Sequence, residues 1–326
     1  MAPEARAGDW KTRIMGLLPL IIFLLLLTYV GTQAPNFFTL VNLGLVLTQS
    51  LTVVLVSVGL SAVVMAGGDD VVSGGIDLSI PATTVLCAGI TAVILTQGGG
   101  FALAAAAALA AAIVVGTINA VLVTRAGLSP LLTTLAMFVA VVGVNNVVTA
   151  SKRIDLDDPM IASLRSGTVL GLPLGILIVA LVTLAAWHLL HRTRWGMHLQ
   201  AAGGSRDAAE ISGLRVDRLV RQTYILAALM GFATSFFILA RGSGSSPGVE
   251  DNLMLEMVLA TFLGAAFSPR RVVTMWGAVL GAVLVSAISI GFKSMGVDVF
   301  WTGLIKGTLI VVVVALAAVA QRGGQR

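Results

Sequence analysis

Charge is scarce in this sequence. Only 11% of its 326 residues are Asp, Glu, Lys or Arg, less than half of the roughly 25% usual in a soluble domain. With 57% hydrophobic residues, a water-soluble fold of this size could not hide its apolar surface. Cysteine occurs once, as Cys87 inside an apolar run, which excludes an internal disulfide and leaves the redox compartment unread. No Gly-Lys pair occurs, so a phosphate-cradling loop of the G-x-x-x-x-G-K-S/T type is excluded. If ATP powers anything here, another polypeptide must hydrolyse it. The three histidines, His188, His191 and His198, have no Cys, Asp or Glu at ligand spacing and read as interfacial residues rather than a metal site. With no triad or carboxylate pair either, covalent chemistry is not expected.

What is present is apolar sequence in runs of about 20 residues, the length that crosses a hydrocarbon core of about 30 Å at 1.5 Å per residue. Residues 14–30 and 309–320 are continuously apolar, whereas a β-barrel would alternate in polarity. The expected class is therefore an all-α, polytopic helical bundle. Ten spans are placed at 13–33, 42–66, 79–97, 100–124, 130–149, 171–191, 221–241, 252–267, 272–292 and 301–320. Arg6, Lys11 and Arg13 precede the first run, which is long for a signal core and reads as an uncleaved anchor. An even number of spans puts both termini on one side. With those ends cytoplasmic, 14 of the 20 basic residues fall inside, against five outside, namely Lys152, Arg153, Arg165, Arg241 and Lys293. This bias supports the orientation, and it explains the net charge of +5 by topology, without nucleic acid. The division is then a cytoplasmic tail at 1–12, a membrane domain at 13–320 with a cytoplasmic loop at 192–221, and a tail at 321–326.

Two breaks stand out. Gln97, Gly98, Gly99 and Gly100 make a tight turn between spans three and four. Residues 67–79 carry Asp69, Asp70 and Asp77 among glycines and form a candidate re-entrant piece, since irregular backbone at membrane depth persists only where protein or water satisfies it. In the 192–221 loop, GGSRDAAEISG (203–213) reads as one short helix. Ser205 can cap its start, Asp207 suits its positive end and Gly213 can terminate it in a left-handed conformation. Six arginines surround it. Two readings stay open, a solvated loop and a docking helix for a cytoplasmic partner.

Within the spans, Glu256 and Lys306 are the clear charges, and a structural pair explains them as well as a pathway does. The scarcity of further acidic or histidine relays leans away from an ion-coupled carrier. Asn42, Gln49, Asn119, Asn145, Asn146 and Gln222 are uncharged polar residues in spans, by default helix-packing groups. Gly277 and Gly281 form a G-x-x-x-G pair that permits close helix approach.

At these residues the chain resembles a known family, the permease subunits of bacterial ATP-binding cassette (ABC) importers for monosaccharides of the ribose, xylose, arabinose and galactose type, which also includes autoinducer-2 permeases. SGGIDLSI at 73–80 is similar to the family's TGGIDLSVG. GTINAVLVTRAGLSPLLTTLA at 116–136 is similar to G-x-x-N-G-x-L-V followed by P-F-I-x-T-L. GGSRDAAEISGLRV at 203–216, with Tyr224 beyond it, looks like G-G-N-x-x-A-A-x-x-S-G-I-x-V. FWTGLIKGTLIVVVVALA at 300–317 resembles the closing segment. Departures are Pro81, Ala120, Val144, Asn145 and the GAAFSPRR stretch at 264–271, where glycines are usual.

The resemblance implies a bacterial inner-membrane permease that pairs with a second permease chain, identical or related. It also implies a cytoplasmic ABC ATPase that uses ATP and Mg, and a periplasmic or lipid-anchored solute-binding protein. The chain itself would bind no cofactor. Gly203, Gly204, Ser205, Ala208, Ala209, Ser212 and Gly213, together with the intervening Arg206, Asp207 and Glu210, would meet the ATPase. Candidates for the solute path are Gln49, Gly74, Gly75, Asp77, Ser79, Asn119, Thr133 and Asn146. The alternative is an ion-gradient-driven carrier for a small polar solute.

Overall fold

A computed structural model of the chain describes residues 9–34, 37–68, 74–268, 272–298 and 301–312. The start of the N-terminal tail, Asp69, Asp70, Ser73, the end of the last span and the 321–326 tail lie outside the described residues.

Helices stand at all ten expected places. They are α1 (Asp9–Gln33), α2 (Leu40–Gly67), α3 (Ile80–Thr96), α4 (Phe101–Thr124), α5 (Pro130–Val148), α7 (Leu174–Arg192), α10 (Val216–Gly242), α11 (Val249–Leu263), α12 (Met275–Ser294) and α13 (Trp301–Val312). Six of them, α2, α4, α5, α7, α10 and α12, are long and apolar enough to cross a membrane. The protein is an all-α, multi-pass membrane protein. α3 and α11 are short, at 17 and 15 residues. α11 runs on into a 3-10 turn over Gly264–Phe267. α3 is preceded by the irregular 74–79 segment.

α2 is the axis of the bundle. Its most apolar stretch is 89% buried, as expected of a helix that is apolar on every side, and it packs against α10, α12, α11 and α7. α10 in turn carries α3 and α4. Small residues let these helices approach closely. Ala104, Ala108 and Ala112 form a fully buried stripe on α4. Side chains at Gly277 and Gly281 of α12 would overlap the carbonyl oxygens of Gly264 and Ala260, so the G-x-x-x-G pair seats α12 on α11 and its 3-10 turn. By contrast, the most apolar stretches of α4, α5 and α7 are only 28% buried.

Among the described residues, three α-helices lie outside the spans. At one end, α6 (Pro159–Ser166) starts at Asp158, whose side chain accepts from the amides of Met160 and Ile161, with proline in the first turn. Beside it, β1 (Ile154–Asp155) pairs antiparallel with β4 (Gly244–Ser245), and β2 (Thr168–Val169) with β3 (Leu172–Pro173). Arg153 ties this end together through Asp155 at 2.7 Å, the Ser246 hydroxyl at 2.8 Å and the Gly242 carbonyl at 2.6 Å.

At the opposite end the 192–221 loop differs from the single helix expected. It folds as α8 (Arg194–Gly204) and α9 (Arg206–Ile211), so Gly203 and Gly204 close α8 instead of opening the capped helix. The reason is legible after the fact. Thr193 caps α8 by accepting from the Gly196 amide, and Leu199 and Ala202, three apart, bury one face. The Trp195 indole also donates to Gln222 at 2.7 Å. α10 then begins at Val216, five residues before the expected 221.

Candidate functional site

α9 is an exposed, capped knob. The Ser205 hydroxyl accepts from the Ala208 amide at 3.3 Å, and Gly213 follows with φ +84, a value that favours glycine. Ala209 is buried against the body, whereas Ala208, Glu210 and Ser212 face out and Ile211 is 88% exposed. Arg206 reaches back to Glu210 at 3.0 Å and to Asp217 on α10 at 2.6 Å. The hydrogen bond that Arg206 donates to Asp217, with the charges of Asp217 and Glu210, holds the Arg206 guanidinium above its ordinary value. An open groove of about 460 Å³ runs along this knob, lined by Glu210, Leu214, Arg215, Asp217, Arg218 and Arg221 among others. The knob thus carries an exposed apolar residue, Ile211, next to a groove lined by both signs of charge.

Directly beneath lies the break between α2 and α3. The 74–79 segment turns back along the last turn of α2, with the Gly75 amide donating to the Gly68 carbonyl at 3.1 Å. A side chain at Gly75 would overlap the Val63 carbonyl, and one at Gly67 would overlap Gly75 itself. Gly74, Gly75, Ile76, Asp77 and Ser79 are all buried. Their polar groups find partners within the segment and on other helices. Asp77 accepts from the Ser79 amide at 2.9 Å and from its hydroxyl at 2.7 Å. Asn119 of α4 donates to that hydroxyl at 2.7 Å. The Leu78 amide donates to Thr134 of α5 at 3.1 Å, and Tyr224 of α10 donates to the Ile76 carbonyl at 3.2 Å. Irregular backbone is thus accommodated inside protein, as the bilayer requires.

Of the eight residues named for a solute path, Gly74, Gly75, Asp77, Ser79 and Asn119 come together in this knot. The other three stand apart. Thr133 lines a groove between α4 and α5 with Leu122, Leu128 and Met137, and its buried hydroxyl has no partner among the described residues. Gln49 lies at the opposite end, in a cleft with Arg165 and Arg241. Asn146 is half-buried near the far end of α5.

The two intramembrane charges meet. Lys306 of α13 donates to Glu256 of α11 at 2.6 Å, and Ser289 of α12 donates to the same carboxylate oxygen at 3.2 Å. Sequence reasoning missed two further buried groups. Glu250, in the first turn of α11, is 4% exposed and was set outside a span expected to start at 252. Tyr224, fully buried, was noted only for its place after a motif. One of just two tyrosines in so apolar a chain is a signal, because a buried phenol needs an acceptor.

A family model described as "Branched-chain amino acid transport system / permease component" matches residues 42–314. The chain is similar to the ribose import permease of Escherichia coli K12, 29% identical over 93% of this chain and 94% of that protein. It is also similar to the fructose import permease of Rhizobium meliloti, 29% identical over 91% and 84%. The galactose/methyl galactoside import permease of Escherichia coli K12 is 26% identical over 91% and 92%. No solved structure matches.

Proposed function

The chain belongs to the family of branched-chain amino acid transport system / permease components, and on that footing we propose that it is the membrane-spanning permease subunit of an ABC importer. Its cargo in this reading is a monosaccharide or a similar small polar solute, the class named by the ribose, fructose and galactose relatives. The carrying observation is that these relatives match nearly end to end.

The chain acts as a transport subunit without hydrolysing ATP, and binds no cofactor. ATP and Mg are used by a separate cytoplasmic ABC ATPase that docks on α8 and α9 through the 203–213 region, where an exposed Ile211 sits among paired charges. A second permease chain completes the path, and a periplasmic or lipid-anchored binding protein delivers the solute. Both termini are cytoplasmic in the inner membrane, the arrangement that places the arginine-rich α8–α9 end inside. The family match favours this reading over an ion-gradient carrier, and the close Lys306 partner of Glu256 leaves that carboxylate a poor free proton relay.

The test is reconstitution of the chain into vesicles with its ATPase and binding protein. Uptake should require all components and ATP on the ATPase side. Uphill uptake by the permease alone, abolished by an uncoupler, would overturn the proposal.

A further inference from the structure

We propose that Gly203 and Tyr224 are positioning residues that carry motion of the α8–α9 knob into the buried 74–79 segment and from there into α4 and α5. The inference rests on reading that knob as the ATPase-docking surface.

The input contact is backbone on backbone. Gly203, at the end of α8, lies so close to the last turn of α2 that a Cβ on it would overlap the Met65 carbonyl oxygen and come within 3.0 Å of its carbon. On its other side that same turn meets the return of the chain, where Gly67 lies against Gly75 and Gly75 against the Val63 carbonyl. α2's last turn is therefore clamped between α8 and the 74–76 stretch with no side chain at the contacts. Flexible side chains absorb displacement by changing rotamer. Main chain in direct contact has no such freedom, and packed interiors of low compressibility pass strain on.

The output contacts leave from the same short segment. Leu78 is bonded to Thr134 of α5, and Ser79 to Asn119 of α4. Both helices leave most of their apolar surface uncovered by the rest of the chain. Thr133, next to Thr134, lines the groove between them. Tyr224 supplies a second link: it sits on α10, the helix that emerges from the docking loop, and its hydroxyl holds the Ile76 carbonyl. A shift of α8 or of the start of α10 thus bears on residues 75–79 from two directions. One glycine in each of the two family-like motifs, Gly75 of GGIDLS and Gly203 of GGSRDAAEISG, is then explained by one requirement, close approach across α2's last turn.

The experiment uses the full complex in vesicles and reads two quantities, solute taken up and ATP hydrolysed. In Gly203→Ala complexes that assemble with the ATPase, uptake per ATP should fall about five-fold or more, whatever the rate of hydrolysis. Tyr224→Phe, which removes only one hydroxyl and keeps the test usable if Gly203→Ala does not assemble, should lower that ratio about two-fold or more, within the range expected of residues on a coupling route. Gly44→Ala, at an α2 position with open space around it, should leave the ratio unchanged. A merely structural defect would lower uptake and hydrolysis together. A wild-type ratio in either assembled variant overturns the relay. If Ala208→Arg abolishes coupling while Gly203→Ala and Tyr224→Phe behave as wild type, the relay fails and docking stands. If Ala208→Arg leaves uptake and hydrolysis unchanged, the docking reading itself fails.

Discussion

Lys306 and Glu256, fifty residues apart in sequence, form a 2.6 Å ion pair whose side chains are 7% and 16% exposed. With Ser289 on the same carboxylate oxygen, it joins α13, α11 and α12. An unpaired charge at this depth is costly, whereas a paired one gains little over apolar side chains of the same size. The single variants Glu256→Leu and Lys306→Met should each destabilise the protein by about 3–5 kcal/mol, because each strands the other charge. The double variant Glu256→Leu/Lys306→Met should recover most of the loss. Thermal unfolding of the four proteins in detergent checks this cycle, and additive losses would rule out the pairing.

Gly281 of α12 makes room for the Ala260 carbonyl of α11. Gly281→Ala forces a Cβ into backbone that cannot move aside, and should cost about 1–3 kcal/mol, the range for overpacked contacts. Gly143→Ala on α5 meets nothing within 4 Å and should be neutral in the same unfolding assay.

Ala208 projects from the exposed face of α9. Ala208→Arg places a long cation on the proposed ATPase-docking surface, two positions from Arg206. Co-purification with the ATPase should fall about ten-fold or more, the weight of one misplaced group at the centre of an interface. Folding should be unaffected, since no buried contact is touched.

Arg153 makes three hydrogen bonds, but its side chain is 49% exposed and that of Asp155 is 79% exposed. Solvent screening limits such a pair. Arg153→Gln should therefore lower stability by no more than about 1 kcal/mol, and uptake by the reconstituted complex should persist. A loss as large as that at Glu256 would show that the β1–β4 end has a transport role.

The ten helices were legible in the sequence because a run of about 20 apolar residues has few other places to go. The break at 67–79 was legible for the converse reason, since three aspartates and several glycines cannot continue an apolar span. Ser205 and Gly213 gave away the ends of α9 through local cap chemistry. α6 and α8 escaped notice because they are short and half polar, and polar loops are easily read as unstructured. The α8 pattern of Leu199 and Ala202 under a Thr193 cap was available, but it was hidden by the more obvious GGSRDAAEISG stretch. For the solute path, residue type alone chose Gln49, Thr133 and Asn146 alongside Asp77, Ser79 and Asn119. Only three-dimensional packing separates the first group from the second.

The sequence by itself determined the solvent of this protein, the places of its ten long apolar segments and, through its match to a transport permease family, the kind of machine it serves. These follow from local quantities, namely apolar run length, charge placement and motif order. The tertiary structure decided which charges neutralise each other, that α2 is the buried axis, and that the 203–213 loop rests on the end of α2 above the 74–79 segment. Of that loop, Gly203 at the end of α8 makes the contact with α2, and all these outcomes depend on contacts between residues tens to more than a hundred positions apart, such as Tyr224 with Ile76. No window of sequence contains both partners of such a contact, so its energy appears only once the helices have packed.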